Sequence, residues 1–298
     1  MPARLDPGAA DTDAAVLPQP APKPAHARPR DTHRDTHPET RRRRRAAALA
    51  EQLGYALSTF VVFFLAWEVL PPLLDVPAYL LPVPSTFFAK FWEVRGLLWQ
   101  HGLVTAQEVL YGFLVGVAVS VPLALLITSS AVVERTTYPL ILFLQLIPKI
   151  AVAPLFVVWF GFGLPPKVFF TFLLCFFPVL VSAITGLRLL DPRVLQLTRS
   201  MGASGWQTFR YVRLPTALPS IFGGMKVSVV LATTGAIVAE FVGANAGLGY
   251  LLLQGTTFLD MPLIFAALVA LCLLGLLFSY LVSLAEVLAM PWKRTTNR

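Results

Sequence analysis

Charged residues are scarce in this sequence, since Asp, Glu, Lys and Arg make up 13% of its 298 residues. An average soluble domain carries about 25%. Apolar residues make up 56% of the chain, so it has too little polar surface to dissolve as a globular domain. The shortage of charge predicts a polytopic membrane protein.

Cysteine, metal ligands and nucleotide-binding motifs are also lacking. Cys175 and Cys272 both lie in apolar runs, which argues against a disulfide framework or a zinc site. Of the four histidines, three lie in the polar N-terminal stretch and His101 stands alone, so we predict no metal site. The sequence contains no Gly-x-x-x-x-Gly-Lys-Ser/Thr phosphate loop and no set of nucleophile, base and orienting residue. We therefore expect no catalytic residue and no cofactor bound by this chain.

Positive charge is concentrated at the N-terminus. The net charge is +8, and residues 1–50 hold ten Lys and Arg against six Asp and Glu. This excess lies beside the first apolar segment, which fits membrane orientation better than nucleic-acid binding. Residues 1–45 are rich in proline and poor in large apolar side chains, so we predict a disordered cytoplasmic tail. Residues 46–292 then form a transmembrane domain and 293–298 a cytoplasmic C-terminus.

Six apolar segments are long enough to cross a bilayer as helices, which takes about 20 residues each. They cover roughly 52–74, 103–128, 137–160, 167–188, 219–243 and 262–290. Six spans place both termini on one side, and the excess of Lys and Arg in the tail and in the loops on that side predicts that this side is the cytoplasm. In the first outer loop, Ser85 is expected to cap a short interfacial helix that carries Phe87 and Trp92.

The segment between the fourth and fifth spans has strong local signals. Asp191, followed by proline, predicts the start of one short helix, and Gly202 its left-handed end. Ser204 and Gln207 form a capping box that opens a second helix, which we expect Pro215 to end. The second helix would show Trp206, Phe209 and Val212 beside two arginines, as a surface that binds a partner does. A loop folded back on its own bundle is the alternative.

This segment resembles the cytoplasmic signature of ATP-binding-cassette (ABC) importer permeases. That signature is a Glu-Ala-Ala triplet, a Gly after three further residues and, nine residues later, an aliphatic residue, any residue and Leu-Pro. Gly202, Val212, Leu214 and Pro215 fall in register with it. The departure is at residues 196–198, where Gln-Leu-Thr replaces the triplet, so the contacts of the family's glutamate are not carried over.

Three stretches are similar to the nitrate/sulfonate/taurine-type branch of these permeases, which includes relatives for thiamine precursors and riboflavin. They are residues 147–163, 199–207 and 239–249. The resemblance implies a type I importer permease in the bacterial inner membrane, working as a homodimer with a periplasmic or lipid-anchored solute-binding protein. It also implies that residues 189–218 dock on a separate ATPase subunit that binds ATP and Mg²⁺. The residues assigned to this coupling are Gly202, Ala203, Ser204, Trp206, Phe209, Val212, Leu214 and Pro215.

The fifth span is predicted to have two different faces. At 100° per residue, small residues form one stripe, which favours close packing of another helix. These are Gly224, Ser228, Ala232, Gly235 and Ala239. Lys226, Thr233 and Glu240 lie on the opposite face and are candidates to line the passage. Surface snorkelling of Lys226 and a salt bridge from Glu240 to a neighbouring helix are the alternatives.

The third span carries a lysine between two prolines. Pro148 and Pro154 favour a broken helix, and Lys149 with Gln145 one turn away would form a polar lining that favours an anionic substrate. Pairing of Lys149 with Glu240 or Glu108 is the alternative. A secondary transporter or channel that works without an ATPase is the second reading of the whole chain, and a membrane enzyme or an exporter the less favoured ones.

Overall fold

The computed structural model describes residues 38–294, with side chains from Glu51 to Trp292 except residues 52, 53 and 56. The predicted N-terminal tail lies outside these residues up to position 37, and most of the predicted C-terminal segment also lies outside them. The chain divides into two units within its first helix, residues 1–59 and 60–298.

The described residues form helices joined by turns and irregular segments, with no strand among them. Its α-helices are α1 (Pro38–Leu73), α2 (Pro84–Glu93), α3 (Arg95–Ser129), α4 (Ala131–Leu146), α5 (Lys149–Phe160), α6 (Leu164–Arg188), α7 (Pro192–Ser200), α8 (Gly205–Thr208), α9 (Leu214–Gly243), α10 (Leu248–Phe258) and α11 (Met261–Ala289). Helix α1 begins inside the range that we predicted to be disordered. Helix α10 had not been predicted.

Of the six predicted membrane spans, four coincide with single long helices of the structure. Helices α3, α6 and α11, and the continuous helical stretch Gly205–Gly243, are each long and apolar enough to cross a bilayer. Helices α4 and α5 together make a fifth candidate, bent by 89° at the break predicted next to Pro148. The apolar part of α1 that the structure describes, Leu57–Leu73, is shorter than these. The all-helical membrane architecture is confirmed, while the cytoplasmic location of both termini stays a prediction.

Helices α3, α6 and α9 pack closely because small residues lie where their backbones approach. A Cβ added to Gly224 of α9 would lie 2.5 Å from the Cβ of Ser182 on α6, and one added to Gly116 of α3 would lie 2.9 Å from the Cβ of Cys175. The hydroxyl of Ser228 donates to the Cys175 carbonyl at 2.9 Å. The small-residue face of α9 therefore contacts α6, as a face free of bulky side chains allows.

Helix α2 exists, but Ser85 does not cap it. The N-cap position is Val83, and Ser85 lies in the first turn, where its backbone N–H and its hydroxyl both donate to the Glu68 carboxylate of α1, at 3.0 and 2.6 Å. The Glu68 carboxylate of α1 thus accepts a backbone N–H from the first turn of α2, which is the capping role that the sequence predicted for Ser85. Phe87 is buried against Trp67, while Trp92 stays exposed, so α2 has one face on the bundle.

Candidate functional site

The segment between α6 and α9 has the local structure that its sequence predicts. Asp191 caps α7, its side chain accepting from the Arg193 backbone N–H at 2.8 Å. Gly202 has a φ of +75°, in the left-handed region that favours glycine. The capping box is complete, because the Gln207 N–H donates to the Ser204 hydroxyl and the Ser204 N–H donates to the Gln207 side-chain oxygen. These interactions define a sharp helix–turn–helix corner.

The corner exposes large apolar side chains. Met201, Trp206 and Tyr211 are 77%, 68% and 73% exposed. The predicted surface residues Phe209 and Val212 are half-buried, as are Ala203, Leu214 and Pro215, and the Phe209 ring lies 5.5 Å from that of Trp206. Sequence reasoning missed Met201 and Tyr211. Exposed aromatic and sulfur side chains are typical of a surface that binds another protein.

Pro215 does not end the second helix, contrary to the prediction. Residues Phe209–Arg213 form a wide π-helical turn, and the chain runs on into α9 with Pro215 in its first turn. Proline is tolerated there because the first residues of a helix need no backbone donor. The corner is therefore connected to the membrane span of α9 without a flexible joint.

The polar face of α9 contacts other helices, including α11 at Lys226 and α3 at Glu240. Lys226 forms an ion pair with Glu286 of α11. Thr233 is buried, and its hydroxyl donates to the Val229 carbonyl one turn earlier. Glu240 is fully buried and accepts a hydrogen bond from the Thr105 hydroxyl of α3 at 2.7 Å. Lys226 and Glu240 thus join α9 to neighbouring helices, whereas the Thr233 hydroxyl bonds within α9.

The carboxylate of Glu240 also holds the turn that leads into α10. The Gly249 backbone N–H donates to its second oxygen, and a Cβ on Gly247 would overlap the same carboxylate. Glycine is therefore required beside Glu240 for steric reasons. The spacing Glu240…Gly247-x-Gly249, within the stretch singled out in the sequence, was the available signal for this arrangement.

Two residues of α3 complete the attachment of this turn. The Thr105 hydroxyl accepts from the Leu248 N–H at 2.8 Å, and Nδ1 of His101 accepts from the Gly247 N–H at 3.0 Å. Sequence reasoning missed both roles. The helix α10 is thereby joined to α3 and α9 by buried polar groups.

A buried ion pair lies close to this turn. The Lys167 ammonium of α6 is 2.6 Å from the Glu108 carboxylate of α3, and both side chains are almost inaccessible. Lys167, at the start of the predicted span 167–188, lies in the first turn of α6. Glu108 thus pairs with Lys167, and Glu240 accepts from Thr105. The alternative in which Lys149 pairs with Glu240 or Glu108 is wrong.

Lys149 begins α5, at the bend from α4. Its ammonium donates to the Gln145 carbonyl at 3.3 Å and lies 5.0 Å from the centre of the Phe177 ring. A cavity of about 420 Å³ is bounded by Lys149, Gln145 and Ser182 together with apolar side chains of α6 and α9. The side-chain nitrogen of Gln145 is buried and has no hydrogen-bond partner among the described residues. Here the structure does bring two of the predicted lining residues together.

These features define a helical membrane transport protein, with a charged cavity beside the bundle core and a projecting corner at one end. The chain belongs to the family described as the binding-protein-dependent transport system inner membrane component, whose model matches residues 109–293. Its membership makes it a transport permease rather than an enzyme.

Several known proteins are similar to this chain. It is 36% identical to the riboflavin transport system permease protein of Chloroflexus aurantiacus, over 79% of this chain and 88% of that protein. It is 35% identical to the formylaminopyrimidine transport permease protein of Halalkalibacterium halodurans, over 79% and 94%. A solved inward-facing methionine ABC transporter has the same fold, with a TM-score of 0.58 at 20% identity over 65% of this chain and 96% of that one.

Proposed function

We propose that this chain is the permease subunit of an ATP-driven importer in a bacterial cell membrane, and that residues 189–218 form its coupling segment for a separate ATPase subunit. The observation that carries the proposal is the projecting corner at Gly202 in a chain of this family. It is built from capped helices, exposes Met201, Trp206 and Tyr211, and continues into the α9 span. A force on the corner would therefore reach the membrane helices directly.

The partner subunits follow from this assignment. ATP and Mg²⁺ would bind the ATPase chain, since this sequence lacks a phosphate loop. A second copy of the permease would complete the pathway, and a solute-binding protein outside the membrane would deliver the solute. Relatives named for riboflavin and formylaminopyrimidine transport support a small organic solute.

Within the pathway, we assign the lining role to Lys149 and Gln145, because they share a cavity. Of the other three candidates, Lys226 and Glu240 make contacts with neighbouring helices, and the hydroxyl of the buried Thr233 bonds within α9. Their contribution would be to hold the bundle together. The small residues Gly224, Ser228, Ala232 and Gly235 would serve the same purpose along α6.

A matched pair of glycines tests the coupling segment. Gly202 and Gly161 have φ angles of +75° and +74°, and a Cβ on either would meet nothing within 4 Å. Valine is strained at both positions, but Gly161 lies between α5 and α6, outside the coupling segment. We expect Gly202→Val to abolish co-purification with the ATPase subunit and ATP-driven uptake in proteoliposomes, while Gly161→Val keeps both.

Equal behaviour of the two variants would contradict the coupling role of the corner. Uptake by the wild-type permease without any ATPase would instead favour the secondary transporter or channel. The two results are separable, because the first concerns assembly and the second concerns the energy source.

A further inference from the structure

Two buried carboxylates meet where α3, α6 and α9 pack together. Glu108 and Glu240 are both fully buried, and their side chains are close enough to interact through a hydrogen bond. The Thr105 hydroxyl donates to Oε1 of Glu240 at 2.7 Å. Thr105 precedes Glu108 by three residues on α3, so both lie on the face of α3 that meets Glu240.

One ammonium faces these two carboxylates. Nζ of Lys167 lies 2.6 Å from Oε1 of Glu108. The other titratable group close by is His101, whose ring stacks on that of Tyr250 of α10 with 5.9 Å between their centres. Nδ1 of His101 accepts from the Gly247 N–H at 3.0 Å, so the ring is not doubly protonated and adds no positive charge.

The other helices packed here supply no second cation. Lys149 of α5 lies at the cavity beside the α4–α5 bend, and Lys226 of α9 pairs with Glu286 of α11. Among the described residues, Lys167 is the only Lys, Arg or His within 4.0 Å of either carboxylate. With both glutamates ionised, the cluster would therefore hold one uncompensated negative charge away from water, which is strongly unfavourable.

The hydrogen bonds lead to the same conclusion. Glu240 accepts from the Thr105 hydroxyl on one oxygen and from the Gly249 N–H on the other. Oε2 of Glu108 is buried and meets no donor among the described residues. Ionised carboxylates only accept, so Glu108 and Glu240 cannot satisfy each other unless one of them carries a proton. A single proton would supply the missing donor and remove the excess charge.

A proton suits this place better than a metal ion. Within the described part of the chain, no group of three or more His, Cys, Asp or Glu side chains could hold a metal ion, and the Lys167 ammonium already lies against Glu108. We propose that Glu108 and Glu240 form a proton-binding site, in which the two carboxylates share one proton at neutral pH. Two adjacent carboxylates commonly hold one proton between them, because like charges at such a distance repel.

The shared proton helps to attach α10 to the bundle. A Cβ on Gly249 would lie 2.7 Å from Oε2 of Glu240 and 3.0 Å from the Ile237 carbonyl oxygen, so the start of α10 lies tightly against this carboxylate. Loss of the proton would leave two negative charges in contact beneath that turn. The attachment of α10 to α3 and α9 therefore depends on pH.

Infrared spectroscopy of the full-length permease in dodecyl maltoside micelles tests the shared proton. This detergent has no ester carbonyl, so the C=O stretch of a protonated carboxyl is resolved, and its shift in D2O identifies it. The variants are Glu108→Gln, Glu240→Gln and, as a control from another interhelical ion pair, Glu286→Gln. We expect the band at neutral pH in wild type and Glu286→Gln, and its loss in both other variants, because one glutamate beside one ammonium stays ionised.

Absence of the band from wild type at neutral pH overturns the proposal. So does a band that survives in either Glu108→Gln or Glu240→Gln, because it then belongs to another group. Far-UV circular dichroism of each variant shows whether the band is lost from a folded protein.

The pH dependence of unfolding is a second measurement that a merely structural contact would not change. Unfolded glutamates are ionised above about pH 5, so a folded state that retains the shared proton binds one proton more than the unfolded state. Stability then falls as the pH rises, and the unfolding constant increases by up to about tenfold per pH unit until the folded state loses the proton. Glu240→Gln has no such proton, and effects of other groups are common to both proteins.

We therefore expect the ratio of the unfolding constants, wild type over Glu240→Gln, to rise by up to about tenfold per pH unit from about pH 5 upward. Denaturant titrations in mixed micelles at a series of pH values measure it. A ratio that does not change with pH overturns the proposal. Neither experiment involves the ATPase subunit, so both results are independent of the proposed function.

Discussion

Lys167 and Lys149 are two lysines of one helical bundle in opposite situations. Lys167 is buried, and its ammonium is 2.6 Å from the carboxylate of Glu108 on a helix distant in sequence. Lys149 is half-buried, lines a cavity and has no carboxylate near it among the described residues. The comparison teaches that the ammonium of Lys167 joins two helices through an ion pair, whereas that of Lys149 contacts only a carbonyl and an aromatic ring. Substitutions at the Lys167 ion pair should therefore lower the free energy of unfolding more than substitutions at Lys149, which should mainly affect transport.

The largest expected effect is on the paired lysine. Replacing Glu108 by Ala leaves the Lys167 ammonium buried without its partner, which for a buried ion pair costs about 3–5 kcal/mol. The free energy of unfolding in mixed micelles, from a denaturant titration, measures it. We expect Glu108→Ala to be severely destabilised.

A double variant provides the control for that prediction. Glu108→Leu combined with Lys167→Met removes both charges and keeps apolar volume, so it should recover most of the lost stability. If the double variant is as unstable as Glu108→Ala, the loss comes from packing and the ion pair does not fix α3 to α6.

An intermediate effect is expected at the α6–α9 contact. Ser182, which takes part in this contact, also bounds the cavity that Lys149 lines. A Cβ on Gly224 would lie 2.5 Å from the Ser182 Cβ and 3.0 Å from the Pro178 carbonyl oxygen. Gly224→Ala should cost about 1–3 kcal/mol, because the two helices must separate. The adjacent Gly223 meets nothing within 4 Å, so Gly223→Ala should be neutral or stabilising by up to about 1 kcal/mol.

The same unfolding titration distinguishes the two glycines. Because Ser182 bounds the cavity that holds Lys149 and Gln145, Gly224→Ala should also lower ATP-driven uptake in proteoliposomes, whereas Gly223→Ala should not. An equal free energy of unfolding for the two alanine variants would contradict the prediction. It would show that α6 and α9 separate without loss of stability and that their contact at Gly224 does not fix the cavity wall at Ser182.

Local features of the fold could be predicted from sequence, because they depend on neighbours along the chain. The cap at Asp191, the left-handed Gly202 and the capping box at Ser204 were all predicted correctly. So was the break next to Pro148. Each rests on residues within one or two helical turns.

Partners from distant helices could not be predicted in this way. Glu108 and Lys167 are 59 positions apart, and nothing in either apolar run indicates the other. Lys226, Thr233 and Glu240 share one face by helical spacing, yet that face meets α11 at one end and α3 at the other. The helical period gives the face of a side chain but leaves open whether a helix or a pathway lies opposite.

The smallest stability effect is expected at Lys149 itself. Lys149→Met removes a 3.3 Å hydrogen bond and a contact with the Phe177 ring, but it also removes the cost of holding an unpaired ammonium away from water. These contributions oppose each other, so the free energy of unfolding should change by less than about 1 kcal/mol. ATP-driven uptake in proteoliposomes should nevertheless fall, because Lys149 is assigned to the lining of the pathway. A loss of stability as large as that of Glu108→Ala would show that Lys149 has a structural partner, and the distinction between the two lysines would fail.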